Sequence, residues 1–426
     1  TFVGINSGNF SMGGAVNTYG SYNTALGKNT LVRNTTGSYN TSIGYLTLNQ
    51  NTSGLLNTSV GAYSLNLNTT GSFNTSLGAS SLYNNTTGSR NIAIGTYALL
   101  SNTTGNDNVA VGYQSQNNTV NNSGNTSYGN YSLKNNFGDY NSAFGIYSLE
   151  LNTTGNQNSA FGFESLSDNT TGNANASFGT FSLRKNVTGF SNSAFGRSAL
   201  YSNINGYDNN AFGINALFSN IDGYFNCAFG YQAMFQNISG LGNAAFGNNA
   251  LYNNISGNNN TVIGSVSGSS ITSGNNLICL GYLSEPTTPT ISNQITLGNN
   301  QITSLRCNVT SITSLSDARD KKNIKELSLG LDFITKLKPR MFNWDKREWY
   351  ENSESDGSKM QETPTAGFIA QELDSLQNTE NAEWLNLVLK DNPDKWEATT
   401  GNLLPIMVKA IQELKEKCDR LEKENS

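Results

Sequence analysis

The stretch 316–324, Ser-Asp-Ala-Arg-Asp-Lys-Lys-Asn-Ile, contains residues whose types favour covalent chemistry. A serine hydroxyl is a weak nucleophile until a base accepts its proton. The chain has no His, which excludes Ser-His-Asp and Cys-His catalysis and the His-based zinc proteases. Lysine is the best remaining base, and Ser-Lys pairs are an established variant of the catalytic triad.

The spacing in this stretch restricts how its serine and first lysine can meet. Ser316 and Lys321 are five residues apart, and an α-helix turns by ~100° per residue, so their side chains would point about 140° apart on a helix. They must therefore meet through an irregular turn or across subunits. The alternative interpretation is a solvated helix start capped by Ser316 or Asp317.

This stretch also separates two parts of the chain with different compositions. Residues 1–315 carry eight basic and eight acidic side chains, whereas residues 316–426 carry 17 basic and 22 acidic ones and hence the whole net charge of −5. No basic patch supports nucleic-acid binding, and no run approaches the ~18 apolar residues of a membrane-spanning helix. The four Cys are scattered without a Cys-x-x-Cys pair, so we expect no metal, and no cofactor is implied.

Residues 1–298 follow a repeat marked by one glycine, here called the coil glycine. It recurs 17 times from Gly27 to Gly298, and fifteen of the sixteen intervals are 17 residues long, while the interval from 129 to 145 is 16. Asn stands four positions before it, a large apolar residue one before, and usually Leu four after. Such a unit is too short for two helices. We expect two short strands per unit, with Gly and Asn at the positive-φ corners.

One such unit cannot bury its apolar side alone, so the units must stack. We predict a mainly β fold, a β-solenoid of about 17 coils with equivalent residues ~4.8 Å apart. The Asn column from Asn23 to Asn260 is expected to form an amide ladder. The apolar column becomes Phe in seven consecutive coils, from Phe144 to Phe246, which predicts a wider core there. The repeat resembles that of trimeric autotransporter adhesin heads, the YadA-like β-rolls.

Beyond the repeat, residues 299–315 are predicted to form a narrow neck and residues 316–426 a small α+β domain. We expect a helix over 329–337, a strand over 341–344, a polar loop over 353–364, and a strand running into a helix over 367–373. Three motifs carry a family resemblance: Ser-Asp-x-Arg-x-Lys-x-Asn-Ile at 316–324, Gly-Phe-Ile-Ala-Gln-Glu-Leu at 367–373, and Leu-Leu-Pro-x-x-Val-x-Ala-Ile-x-Glu-Leu at 403–414. The segment resembles the C-terminal intramolecular chaperone of endosialidase-type phage tail spikes, which assembles a trimeric fibre and then cuts itself off.

The resemblance implies a single-turnover, self-cleaving serine peptidase without activity on external substrates. It implies Ser316 as the nucleophile, Lys321 as the base, and Leu315–Ser316 as the bond that is cut. Lys321 must then lose its proton, which requires burial or a nearby positive charge from Arg319 or Lys322. The other motif residues are Asp317, Arg319 and Asn323.

The predicted last helix, over 403–424, has apolar residues at the 3-4-3-4-3 spacing of a heptad seam. We predict that this seam joins three copies of the chain, although an amphipathic helix packed on its own domain is the alternative. The seam residues are Leu404, Met407, Ile411, Leu414, Cys418 and Leu421.

Together these features predict a homotrimeric viral fibre or tail spike for host attachment, located on the virion surface as an extracellular appendage. The tail domain would direct folding and register of the trimer before its release. Expected partners are the other two copies, a host surface receptor with glycans among the candidates, and the virion or tail. One alternative is a carbohydrate-cleaving spike, using Glu150 with Glu164, or Glu164 with Asp168, on neighbouring coils. Another is a bacterial trimeric surface adhesin.

Overall fold

The structure, a computed structural model, describes residues 1–8, 20–302, 304–306 and 316–425. It forms two compact units, Thr1–Thr303 and Ser304–Ser426. Most of the predicted neck lies outside the described residues, namely 303 and 307–315. This segment includes Cys307 and Leu315, the residue before the predicted cut.

The first unit is a β-solenoid, as predicted, with one short parallel strand per coil. Among the described residues, eighteen strands form one continuous sheet. Neighbouring coils are in register, with Phe161 opposite Phe178 and coil glycines therefore stacked. The prediction of two strands per unit is wrong, because turns replace the second strand in every described coil. The strands are β1 Phe2–Val3, β2 Thr24–Leu26, β3 Thr41–Ile43, β4 Thr58–Val60, β5 Thr75–Leu77, β6 Ile92–Ile94, β7 Val109–Val111, β8 Thr126–Tyr128, β9 Ser142–Phe144, β10 Ser159–Phe161, β11 Ala176–Phe178, β12 Ser193–Phe195, β13 Asn210–Phe212, β14 Cys227–Phe229, β15 Ala244–Phe246, β16 Thr261–Ile263, β17 Ile278–Leu280 and β18 Ile295–Leu297.

The core of the solenoid is narrow and is filled by small strand residues and by the Leu column. The middle residue of each strand points inward, as Ala160 does, and Leu166, four after the coil glycine, is fully buried beside it. The residue just before the coil glycine points outward. The predicted wider Phe core is therefore wrong: Phe161 is only partly buried, and Phe246 is 39% exposed. Strand alternation sends the small residue inward and the ring outward.

The corners of the coils also differ from prediction. Within one coil Gln157, Glu164 and Leu166 have φ values of 58°, 50° and 54°, in the left-handed region. Ordinary side chains, and even Leu, thus occupy corners that were assigned to Gly and Asn, at a cost of roughly 1 kcal/mol or more each. Glycine is required for space at Gly155, where an added Cβ would lie 2.3 Å from the carbonyl oxygen of Gly172 in the next coil.

Two Asn columns connect the coils. In the predicted column, the N–H of Asn175 donates to Asn158 Oδ1 at 3.0 Å, and Asn158 Nδ2 donates to the Gly172 carbonyl at 2.8 Å. A second column, seven residues after the coil glycine, forms the closer amide ladder. There Asn186 Nδ2 donates to Asn169 Oδ1 at 2.7 Å, and both side chains are fully buried. These hydrogen bonds supply partners to buried amide groups, which would otherwise destabilise the fold.

The second ladder is interrupted once in the middle of the solenoid. Gln116 replaces Leu in the core, and Thr119 replaces Asn in the ladder, both fully buried. Gln116 Oε1, Thr119 Oγ1 and Asn102 Oδ1 have no hydrogen-bond partner. The 16-residue coil follows, yet Tyr128 still pairs with Phe144 across it. The apolar core is therefore divided into one cluster before Gln116 and one after it.

The second unit is the predicted small α+β domain. Its helices are α1 Leu331–Lys336, α2 Ala370–Thr379 and α3 Leu404–Glu424; its strands are β19 Arg340–Phe342, β20 Thr365–Gly367, β21 Val388–Leu389 and β22 Glu397–Ala398; its 3₁₀ turns are Ala318–Asp320, Arg347–Trp349, Glu383–Leu385 and Thr400–Leu403. β19 pairs antiparallel with β20, and β21 with β22. The expected elements thus occur with shifted ends, α1 being shorter than predicted and β20 beginning before 367.

Helix α3 packs on its own domain through a face other than the predicted seam. Leu403, just before the helix, and Ile406 and Ala410 within it are buried. Glu413, on the same side, accepts a hydrogen bond from the Leu331 N–H at 2.7 Å and so caps α1. The seam residues lie about 100° around the helix and remain uncovered, with Ile411 65% exposed.

Candidate active site

Ser316 and Lys321 lie in hydrogen-bond contact within one chain. Lys321 Nζ donates to Ser316 Oγ at 2.6 Å. The 3₁₀ turn Ala318–Asp320 between them reverses the chain tightly enough for this contact, which a continuous α-helix would not permit. The irregular turn is therefore the route by which the two side chains meet. Their catalytic roles stay a prediction at this point.

Asp317 and Arg319 shape the turn. Asp317 caps it, because its carboxylate accepts the Arg319 N–H at 2.9 Å, and it also pairs with the guanidinium at 2.6 Å. The pair lowers the pKa of Asp317, first through the side-chain hydrogen bond and then through the backbone one, and raises the pKa of Arg319. The cap foreseen in the alternative interpretation thus coexists with the Ser-Lys contact. Asp317 therefore offsets the charge of Arg319, one of the two cations that the sequence placed near Lys321.

Asn323, in a bend three residues after the turn, has a left-handed conformation, with φ of 53°. Asn tolerates this region better than most residues, and β-branched residues do not. The conformation gives a physical reason for Asn at this place in the motif. Sequence reasoning named Asn323 as a motif residue but had no signal for its backbone geometry.

Both members of the Ser-Lys pair are exposed in the single chain, as is the turn that joins them. The burial that would favour a neutral lysine is therefore not supplied by the described residues of one chain.

The carboxylates considered for glycoside cleavage are differently placed. Glu164 forms an ion pair with Arg184 across coils, which commits it to a structural role. Burial is the main cause that raises the pKa of Glu150, with Asp168 and Glu164 adding to it and Lys134 opposing it. Of the two carboxylates that act on Glu150, Glu164 is thus already paired with a guanidinium.

No cluster of metal-ligating side chains occurs among residues 1–8, 20–302, 304–306 and 316–425. Within the same ranges, none of the helices is both long and apolar enough to cross a membrane. Burial raises the pKa of the Cys279 thiol to about 12, so this sulfur is unreactive near neutral pH.

The comparison with known families bears on the segment that begins at Ser316. Residues 316–380 match Peptidase_S74, the chaperone of endosialidase. The matched domain begins at the serine of the Ser-Lys contact, includes the motif at 367–373, and stops before the motif at 403–414. The match implies a self-cleaving peptidase domain, and a long β-solenoid precedes it, as expected. No curated protein matches the chain.

Proposed function

We propose that this chain is a homotrimeric fibre whose C-terminal domain aligns the three copies and then releases itself by cutting the Leu315–Ser316 bond. The observation that carries the proposal is the 2.6 Å contact between Lys321 Nζ and Ser316 Oγ at the start of a chaperone-of-endosialidase domain. A lysine that has lost its proton can accept one from the serine hydroxyl through this contact.

The proposed reaction uses only this chain and water. Neutral Lys321 takes the proton of Ser316 Oγ, and the oxygen attacks the carbonyl carbon of Leu315. The C–N bond breaks, and the proton held by Lys321 passes to the leaving amide nitrogen of Ser316. Water then hydrolyses the ester, which frees the Leu315 carboxylate and regenerates the serine hydroxyl. Each chain cuts itself once.

Formation of the trimer would determine when the cleavage reaction begins. Both side chains are exposed in a single chain, so no burial there favours an uncharged lysine. Packing of three copies around this segment would exclude water and disfavour the charged form. Cutting would thus follow trimer formation, and the C-terminal domain would be released only after the three chains are aligned.

The uncovered seam of α3 supports the trimer. Leu404 and Ile411 are each 65% exposed, and Leu421 is 54% exposed, although the helix is already fixed to its domain by another face. An apolar heptad seam of under three heptads is too short to be stable alone. Two further copies of α3, each held by its own domain, would cover it.

Alignment explains why a repeat would need such a domain. Coils of nearly identical sequence can pair between chains one coil out of register with little loss of contacts. Strands slip in the same way where neither of their faces specifies the register. A domain that trimerises first sets the register of the solenoids. A long, cut and aligned trimer fits an extracellular or virion-borne fibre, and host attachment is the function we assign to it.

A matched pair of serine variants tests the proposal. On a denaturing gel, wild type and the control Ser314→Ala should give fragments of 315 and 111 residues. Ser316→Ala should remain one chain of 45.8 kDa, because the attacking oxygen is gone. Light scattering should show a trimer for every variant. A Ser316→Ala chain that is still cut after residue 315 would show that an outside protease acts instead, and a monomer would exclude the fibre.

A further inference from the structure

We infer that the three solenoids pack against one another, in parallel and in register, through the outward face of their sheet. This face, here called the outer sheet face, consists of the first and third residues of strands β2–β18. The inference rests on the trimer proposed above and identifies a second contact surface for it, remote in sequence from the α3 seam.

The outer sheet face carries no charge along its whole length. In each of the seventeen strands the third residue is Leu, Ile, Val, Tyr or Phe, and the first is Thr, Ser, Ala, Val, Ile, Asn or Cys. The charged side chains of the solenoid all stand in other columns, as Arg90, Asp107 and Lys185 do. Depletion of charge together with enrichment in aromatic residues marks the centre of protein interfaces rather than ordinary surface.

The sheet is parallel, and only one of its faces is covered. Parallel sheets occur almost only where both faces are buried. Here the middle strand residues close the inner face, since Ala160 and Ala194 are fully buried. On the outer face Leu77 and Ile263 are each 47% exposed and Tyr128 is 43% exposed. The strand pattern is thus that of a sheet with a second layer, which a single chain does not provide.

The aromatic part of this face is unsuited to a sugar ligand. Phe178, Phe195 and Phe212 stack at 4.7 Å between ring centroids, with planes only 7° and 3° apart. Each ring face is therefore occupied by the ring of the neighbouring coil, whereas a sugar would need a free face on which to lie. What the ladder presents outward is a continuous ridge of ring edges.

Another copy of the chain fits this ridge better than an unrelated partner does. An occupant must offer an apolar surface with the same ~4.7 Å period over seventeen coils, and the same face of a second solenoid does so. If each large side chain offers on the order of 50 Å², the face supplies roughly 850 Å² per chain, close to half of a standard interface of about 1,600 Å². The α3 seam independently calls for parallel copies of this chain.

Cys227 provides a natural probe, because it is the first residue of β14 and so lies on the outer sheet face, partly buried. In a chain carrying Cys307→Ser and Cys418→Ala, Cys227 is the one thiol outside the solenoid core. A short bismaleimide should join two copies through Cys227. Labelling by a simple maleimide should be at least about tenfold slower than at a surface thiol, because it waits for the interface to open.

The matched control places the thiol on another face of the same region. Phe190 is 44% exposed and stacks on Tyr207 outside the outer sheet face. Phe190→Cys, combined with Cys227→Ser, should label quickly and should not cross-link. Equal labelling of the two thiols in a trimeric chain would show that the face is open or holds another occupant, and would overturn the inference.

A second pair of variants tests the outer sheet face by introducing a positive charge. Phe195→Lys places three ammonium groups in the proposed interface, whereas Phe190→Lys makes the same change elsewhere. In a Ser316→Ala background, which retains the tail, Phe195→Lys should abolish cross-linking at Cys227 while the chain stays trimeric in light scattering, and Phe190→Lys should leave both unchanged. A trimer whose Cys227 cross-linking survives Phe195→Lys contradicts the face but leaves the fibre. A monomeric wild type contradicts both.

Discussion

The buried amide ladder makes a specific prediction about stability, which Asn186→Ala tests. Asn186 Nδ2 donates to Asn169 Oδ1 at 2.7 Å and to the Gly189 carbonyl at 2.9 Å, and its Oδ1 accepts from Asn203 Nδ2 at 2.7 Å. The variant removes all three bonds. It also leaves Asn169 Oδ1 buried without a donor.

The magnitude follows from these contacts. Three net hydrogen bonds at about 1 kcal/mol each, with a penalty of about 1–3 kcal/mol for the stranded oxygen and some overlap between the two, give a loss of about 3–5 kcal/mol per chain. Asn186→Asp should cost at least as much, because it keeps the shape of the side chain but removes both donors. This variant separates hydrogen bonding from packing.

The assay combines urea unfolding with hydrogen exchange resolved by peptide. Because each coil contacts only its neighbours, the faster exchange should centre on the coils that contain Asn169, Asn186 and Asn203. The control is Asn205→Ala, an exposed residue of the next coil, which contains Asn203, and it accepts one bond from Thr188 Oγ1; it should change stability by less than about 0.5 kcal/mol. If Asn186→Ala behaved like this control, the ladder would not be what holds the coils together.

Two further substitutions are expected to stabilise the chain, whereas most substitutions destabilise a protein. Thr119→Asn should repair the interrupted ladder by donating to the unpartnered Asn102 Oδ1 and stabilise the chain by about 1 kcal/mol, seen as a higher urea midpoint; a lower midpoint would mean that the site cannot hold the amide. Glu150→Gln should stabilise at neutral pH, because burial raises the pKa of Glu150. The wild type loses stability as pH rises from the unfolded-state pKa of ~4.3 through the raised folded pKa, so the two proteins should converge below about pH 4, and a constant difference across pH would contradict this cause.

The sequence predicted the solenoid because a 17-residue period leaves few ways to bury the Leu column. It failed on the Phe column, since large apolar residues were assigned to the core, whereas alternation about the buried Ala160 and Ala194 sends the rings outward. The narrow coil accepts only small residues there. The second Asn column, which includes Asn169 and Asn186, recurs with the same period in the sequence but was not predicted.

The candidate site was predictable in its residues but not in its geometry. The motif named Ser316 and Lys321, and their spacing excluded a shared helix face. That both meet within one chain depends on the 3₁₀ turn capped by Asp317, whose φ and ψ no local pattern specified. The exposure of the α3 seam likewise depends on which face of the helix packs on the domain core. Ile406 and Ala410 are buried there, so the seam residues remain exposed.

The most direct test of the central claim compares Lys321→Arg with Lys322→Arg by intact mass of the purified chain. Guanidinium keeps its proton near neutral pH, so Arg at 321 cannot act as the base, whereas Arg at 322 preserves the neighbouring charge. The proposal predicts a single chain of 45.8 kDa for Lys321→Arg, and fragments of 315 and 111 residues, the second beginning at Ser316, for Lys322→Arg and wild type. Cleavage of Lys321→Arg at the same bond and at the wild-type rate would contradict a catalytic Ser316–Lys321 pair.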